Sequence, residues 1–372
     1  MTSIDIDRLV AEHPGGRPGF ELPASTNPAE AMYALGLTDG LPVVPPTPDL
    51  VAAMLEAGPW SPDTVLAEVP TRDVTVTAYL AAVNAVMAGA RTEYFPVIGT
   101  ALEAIGQPDF HLHLPTASTG GATIMVIVHG PVADAIGVHA RENLFGPGFR
   151  ANATIGRTIR LVQMNCLAAI PGELDKSTQG WPGKFSLCFA ENTEASPWPP
   201  LNERLGCGGR SAVTVFASES GHNVVTHGAA DAESMLLTFA GAMAGLGSFS
   251  PGRSVVVFAP EHAKRLGDAG WSADDVAEFL YQHAVQDLAT LKRVGKIEDD
   301  PEADNDWTNP VWRTQGDIRI HPGDENVLIR RGYGPQDITV LVGGGTAGGH
   351  SAFFPSWSRA RSVPIITKEL PS

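Results

Sequence analysis

The sequence predicts an α/β fold, with mixed or mostly parallel buried sheets flanked by helices. Three observations carry this. Three apolar runs, Thr123–Val128, Ser254–Phe258 and Ile338–Val342, read as strands buried on both faces. Each is followed by a tight Gly- or Pro-containing loop, and the first two then pass into a helical pattern. The composition suits a large folded core: 372 residues, 43% hydrophobic and 18% charged.

In chain order, residues 1–40 form a polar arm with a weak helix from Pro28 to Leu37. Asp39-Gly40 is a turn, and Pro45-Pro46 a break. Thr47 can cap a helix whose first residue is Pro48. Val74–Thr77 is β-branched and predicts a strand, followed by helices over Ala81–Ala90 and Pro96–Ile105. After Thr123–Val128, the string HGPVADAIG gives a turn and a short helix. A glycine-rich turn, Gly146-Pro147-Gly148, leads to a helix starting near Ala151-Asn152. Phe185–Ala190 and Val213–Ala217 predict strands, and Asp231–Leu246 a helix. Ser272 and Asp275 form a capping-box pattern opening a helix that runs to about Arg293. KIEDDPEADNDWTNP, residues 296–310, predicts an exposed loop or lid. SVPIITKEL predicts an edge strand. Two subdomains are expected, 41–210 and 211–372.

A formal charge of −16 repels phosphate backbones and anionic lipid, so nucleic acid and membrane surfaces are not expected partners. The first residues carry acids and no apolar run, and no stretch is long and apolar enough to span a bilayer. Three cysteines, Cys166, Cys188 and Cys207, form no metal-knuckle spacing, and a reducing cytoplasm is expected. A homodimer or larger homo-oligomer acting on a small molecule, without a cofactor, is the expected setting.

The densest stretch of reactive groups runs from Asn143 to Trp198. Alternation in FSLCFA places Phe185, Leu187 and Phe189 on one face and Ser186, Cys188 and Ala190 on the other. The small face leaves room for a ligand over the Cys188 thiol. Glu191 and Glu194 follow at the strand end, where a close carboxylate pair can supply an acid and a base. The competing reading is a buried structural thiol with solvated or capping carboxylates. Arg150, Asn152 and Arg157 at the helix start, with Arg160 one turn on, can hold an anionic group. The competing reading there is a buried salt bridge to Glu191 or Glu173. The loops at Ser118-Thr119 and at Gly343–Gly349, with Gly344, Gly345 and His350, can converge backbone N–H groups on an oxyanion, or serve only as tight turns. Neither loop is a Walker A or a GxGxxG fingerprint. His111 and His113 fall on one face if the segment is a strand, which is what a metal needs, but no companion carboxylate follows.

The segments TDGLPVVPPTPDLVAAML, AVNAVMAGARTEYFPV, GPGFRANATIGRTIRLV, PGKFSLCFAENTEASPWPPL and PEHAKRLGDAGWSADDV are similar to signature segments of bacterial UGSC-family (seleno)proteins and their stand-alone relatives. The similarity spans roughly residues 38 to 350 and implies an intracellular bacterial enzyme. The family motif pairs a selenocysteine or cysteine with a second thiol. The nearest string here is Cys207-Gly-Gly-Arg, so no dithiol redox role carries over.

The sequence therefore leads to an enzyme acting on a small polar, carboxylated substrate by hydrolytic or lyase chemistry, with Cys188 or Glu191 as nucleophile or base. The alternatives are a metal-dependent enzyme using His111 and His113, and a non-catalytic small-molecule binding protein.

Overall fold

Two four-stranded sheets carry the fold. In chain order their strands are β1 (Thr123–His129), β2 (Cys188–Ala190), β3 (Ala212–Ser218), β4 (His222–Val225), β5 (Ser254–Phe258), β6 (Ile338–Val342), β7 (His350–Pro355) and β8 (Ile366–Glu369). Sheet A has the order β8-β3-β1-β2, and sheet B the order β6-β5-β7-β4. Both are mixed: β1 with β2 and β5 with β6 are parallel, and the other pairs are antiparallel. The computed structural model describes residues 26–296, 328–357 and 365–371. It adds two short strand pairs, Val10–Glu12 with Pro18–Phe20 and Thr314–Gln315 with Ile318–Arg319. The rest of the polar arm before residue 26, and the acidic loop expected at 296–310 beyond Lys296, lie outside the described residues.

Alternation along the strands sets the layers. Met125, Ile127, Phe189 and Phe216 of sheet A meet Val255, Val257, Leu341 and Phe354 of sheet B in one interlayer core. The opposite parity of sheet A, including Val126, Cys188 and Val215, packs on α1 (Ala78–Ala88), α2 (Phe95–Ile105) and α3 (Arg150–Asn165). A four-residue helix, α4 (Leu201–Arg204), adds Leu201 to the interlayer core. The outer face of sheet B, including Val256, Val340 and Phe353, packs on α5 (Ala232–Met243), α6 (Pro260–Asp268) and α7 (Ala273–His283). The result is four layers, helix–sheet–sheet–helix. Each large apolar side chain withdrawn from water contributes roughly 1.5–3 kcal/mol before entropy is counted.

Local chemistry explains the helix ends. Thr77 caps α1 by accepting from Leu80 N at 3.3 Å, and Gly89, at φ +80°, ends it. Ser272 and Asp275 form the capping box of α7. The helix expected to continue to Arg293 breaks instead at Ala284. Val285–Asp287 pairs there with Leu328–Arg330, and a second helix runs over Leu288–Arg293. Thr47 takes the N-cap position before Pro48 but makes no side-chain cap bond. Among the described residues, no helix is long and apolar enough to cross a membrane.

The two sheets repeat one topology in matching register. Val126 pairs with Cys188 and Val215, and Val256 with Val340 and Phe353. The outer strands follow suit: β8 puts Ile366 against Val215, and β4 puts His222 against Phe353. Each half therefore runs strand, helix, parallel strand, antiparallel strand, and then sends its last strand into the other sheet.

Candidate functional site

The site is built on the exposed edge of β2. Pro182–Lys184 form a single 3₁₀ turn, so the strand starts later than the expected Phe185, at Cys188. Gly156 of α3 lies against this turn-to-strand junction. A Cβ there would come within 2.3 Å of Ser186 Oγ and 2.8 Å of Leu187 N, so only glycine allows this approach. The small face predicted to hold a ligand is therefore covered by α3. The Cys188 thiol packs in the same cluster as Ile155 and Ile159, and burial pushes it far above its usual range.

Cys188 nevertheless borders a cleft, through its backbone. Val126 N donates to Leu187 O at 2.9 Å, so the residues flanking Cys188 bond inward to β1. The N–H and C=O of Cys188 itself then point outward. Two residues further on, Ala190 N reaches His139 O at 3.2 Å. Among the described residues, the Cys188 N–H and C=O have no protein partner.

The matching edge of sheet B is covered. Val340, which holds the position of Cys188, accepts from Arg204 Nη2, and Val342 O accepts from Asn192 N at 2.8 Å. Both donors come from the long connection 191–211 between β2 and β3. The corresponding connection between β6 and β7 is only the glycine-rich 343–349. It is too short to place a helix on β2, and a cleft of about 1010 Å³ remains.

Leu144, Phe145, Trp181, Phe185, Leu187 and Phe354 wall this cleft. Phe145 is 44% and Phe185 48% exposed. The Phe145 ring stands edge-on to Phe189 and Phe354, with centroids 5.1 Å away in each case. Polar groups reach the cleft from Glu142, Ser220, His222, Asn223 and His350. His350 Nδ1 lies 3.4 Å from Asn223 Oδ1. Burial, and then the Arg331 charge, hold His222 below its usual range.

Gly344, Gly345, His350, Asn152, Arg157 and Cys188 all border the cleft, as the sequence suggested for one site. Arg157 is already engaged. Its guanidinium makes two bonds to Asp39, at 2.8 and 2.7 Å, and reaches the Leu41 and Pro42 carbonyls. The partner is thus Asp39, rather than Glu191 or Glu173. Asn152 spends both amide atoms on the His139 backbone, at 2.7 and 3.0 Å.

The other expected residues lie elsewhere. Arg150 donates to Gly89 O, and Arg160 pairs with Asp175 at 3.0 Å. Asp175 also receives Lys184, at 2.7 Å. Ser118 Oγ accepts from Gly120 N and Trp357 Nε1, and Thr119 O accepts from Thr178 N. Glu194 is an exposed partner of Arg141. His111 and His113 sit in turns rather than on a strand, with His111 left-handed at φ +52°. Among the described residues, no group of three or more His, Cys, Asp or Glu is placed to hold a metal.

Glu191 is buried behind α4, away from the cleft. Its Oε2 accepts from Leu201 N at 2.8 Å and lies 3.8 Å from His129 Nδ1. Burial pushes its carboxyl up to about 7, against the Leu201 N–H and the Arg204 charge. His129 is held down to about 3, by burial first and Arg204 second. His129 Nε2 is bonded to Thr214 Oγ1, and that to Thr367 Oγ1, each at 2.8 Å. This chain of contacts ties β1, β2, β3 and β8 to α4.

Sequence reasoning did not single out Glu142, Phe145, Trp181, Phe185, His222 or Asn223. An aromatic beside a glycine turn, as in Leu144-Phe145-Gly146, was an available signal for one of them. His222 and Asn223 gave none, because they lie on β4, the strand that the first half sends into sheet B.

No protein-family model, curated protein or solved structure matches the chain.

Proposed function

We propose that the chain binds a small organic molecule with an apolar body in the cleft beside β2. The cleft itself carries this reading. It has the volume of a small-molecule site, and it leaves two phenylalanines, Phe145 and Phe185, half exposed at its walls. A bound ligand would cover apolar surface that the free chain leaves wet. Among the roles expected from the sequence, binding is favoured over Cys188 or Glu191 chemistry. The thiol faces α3, and Glu191 lies behind α4. A nucleophile must reach the atom it attacks, and neither group reaches the cleft. The expected pair of subdomains enters this reading as two halves that exchange an edge strand, with the cleft where one half lacks the other's helix α4.

A neutral solvatochromic dye, Nile red, tests the role. Its fluorescence should rise saturably with the wild-type chain and much less with Phe145→Ala/Phe185→Ala at equal folded concentration. An identical rise with the double variant would end this assignment.

A further inference from the structure

The molecule contains its own version of an occupied site. At the edge of β6, the place corresponding to the cleft is filled by α4. That occupant has two parts: Leu201, buried in the interlayer core, and Arg204, whose guanidinium donates to Val340 O. Val340 and Cys188 hold matching positions, opposite Val256 and Val126 in the two parallel pairs. The carbonyl that takes a guanidinium on one side thus has no partner among the described residues on the other, at the cleft.

The charges bordering the cleft agree. Among the described residues that line it, Arg157 is the one arginine, and it is neutralised by Asp39. Glu142 is exposed at the cleft, and among the described residues its carboxylate has no hydrogen bond or ion pair. It lies over the glycine-rich loop. A Cβ at Gly345 would come within 2.5 Å of Glu142 Cγ and 2.9 Å of its Oε1, so the glycine leaves room for the side chain to lie there. Phe145, Trp181 and Phe185 present ring surface, which attracts a cation desolvated against it. A chain of net charge −16 raises the local concentration of cations as well.

We infer that the cleft selects organic monocations, a protonated amine or guanidine carried on an apolar body. The inference rests on the binding role proposed above and adds the charge of the ligand. The cationic head donates to the Cys188 carbonyl and pairs with Glu142, while the body lies among the aromatic walls. This replaces the carboxylated ligand expected from the sequence, for which the arginines were to supply the charge.

Four probes of one shape decide it: 4-phenylbutylamine, 4-phenylbutylguanidine, neutral 4-phenylbutanol and anionic 4-phenylbutyrate. Titration calorimetry on the full chain at low salt should rank either cation about tenfold tighter than the alcohol, and the butyrate weakest. Glu142→Gln should bring the cations down towards the alcohol. Comparing probes on the same variant removes any effect of lost folding. Butyrate binding as tightly as the amine, or a cation-to-alcohol ratio unchanged in Glu142→Gln, overturns the inference while leaving the binding role standing. If none of the four binds, both fall together.

Discussion

Ser218, the last residue of β3, and Ser356, the residue directly after β7, pair with each other across an antiparallel bridge at equivalent places in the two halves. A residue that meets its own counterpart marks a local two-fold axis. Glu219 N donates to Pro355 O at 3.0 Å beside it, extending the junction between the sheets. The cleft is where this symmetry fails, because connections 191–211 and 343–349 differ so much in length.

The Asp39–Arg157 pair sets the charge of the cleft wall. Asp39→Asn leaves the guanidinium in place without its counter-charge. The ligand preference should then shift towards anions, with 4-phenylbutyrate gaining about tenfold over wild type in calorimetry. No gain would mean that Arg157 does not face the bound molecule.

Cys188→Ala should keep ligand binding, because the chain presents its backbone and not its thiol to the cleft. The stability cost should be about 1 kcal/mol, from a small loss of buried volume. In the native chain the thiol should resist a disulfide reagent until the protein is unfolded, since burial keeps it protonated. A tenfold loss of binding in this variant, or fast labelling, would return the thiol to the site.

Glu191 makes stability depend on pH in a defined direction. Its carboxyl rises from 4.5 to about 7 on folding, so the folded chain holds that proton more tightly. The contribution is complete below pH 4.5 and is lost as pH rises through 7. His129 works oppositely. Lowered from 6.5 to about 3, it removes stability as pH falls through that range. Glu191→Gln deletes the first effect alone. Urea denaturation at pH 5 and pH 8 should show the wild type losing up to about 3 kcal/mol relative to the variant over that interval. Equal pH slopes would rule out a neutral Glu191 in the folded chain.

Arg331 is fully buried, with its guanidinium bonded to Ser254 Oγ and the Met243 and Ser248 carbonyls, stacked 4.7 Å from Phe353. It closes the C-terminal end of α5. Arg331→Met keeps much of the volume but strips three acceptors of their donor. A loss of at least about 3 kcal/mol is expected from chemical denaturation. A smaller loss would show that those carbonyls find other donors.

Much of the fold was legible because strong local signals agreed with the final packing. The buried runs of β1, β5 and β6, the Ser272–Asp275 cap and the β8 edge strand all stand where pattern and turn chemistry put them. Part of the stretch 143–198 lines the cleft, through residues 143–147 and 185–188 among others. What was not legible was pairing at a distance. The partner of Arg157 could not be read because Asp39 lies 118 residues away. Alternation sorted Cys188 from Leu187 and Phe189 but could not say which face α3 would cover. That depended on Gly156, a residue with no signal of its own. The break at Ala284 depended on Leu328–Arg330, far along the chain.

The exchanged strands bear on how the chain can be divided. β4 leaves the first half to complete sheet B, and β8 leaves the second to complete sheet A. A cut at residues 226–231, between β4 and α5, would give two fragments, each holding three strands of its own sheet and one strand of the other's. Neither fragment could seal its own sheet edge, and each would expose the inner face of its layer. Mixed together, they supply each other's missing strand, so the chain should reassemble from two pieces that are separately unable to fold.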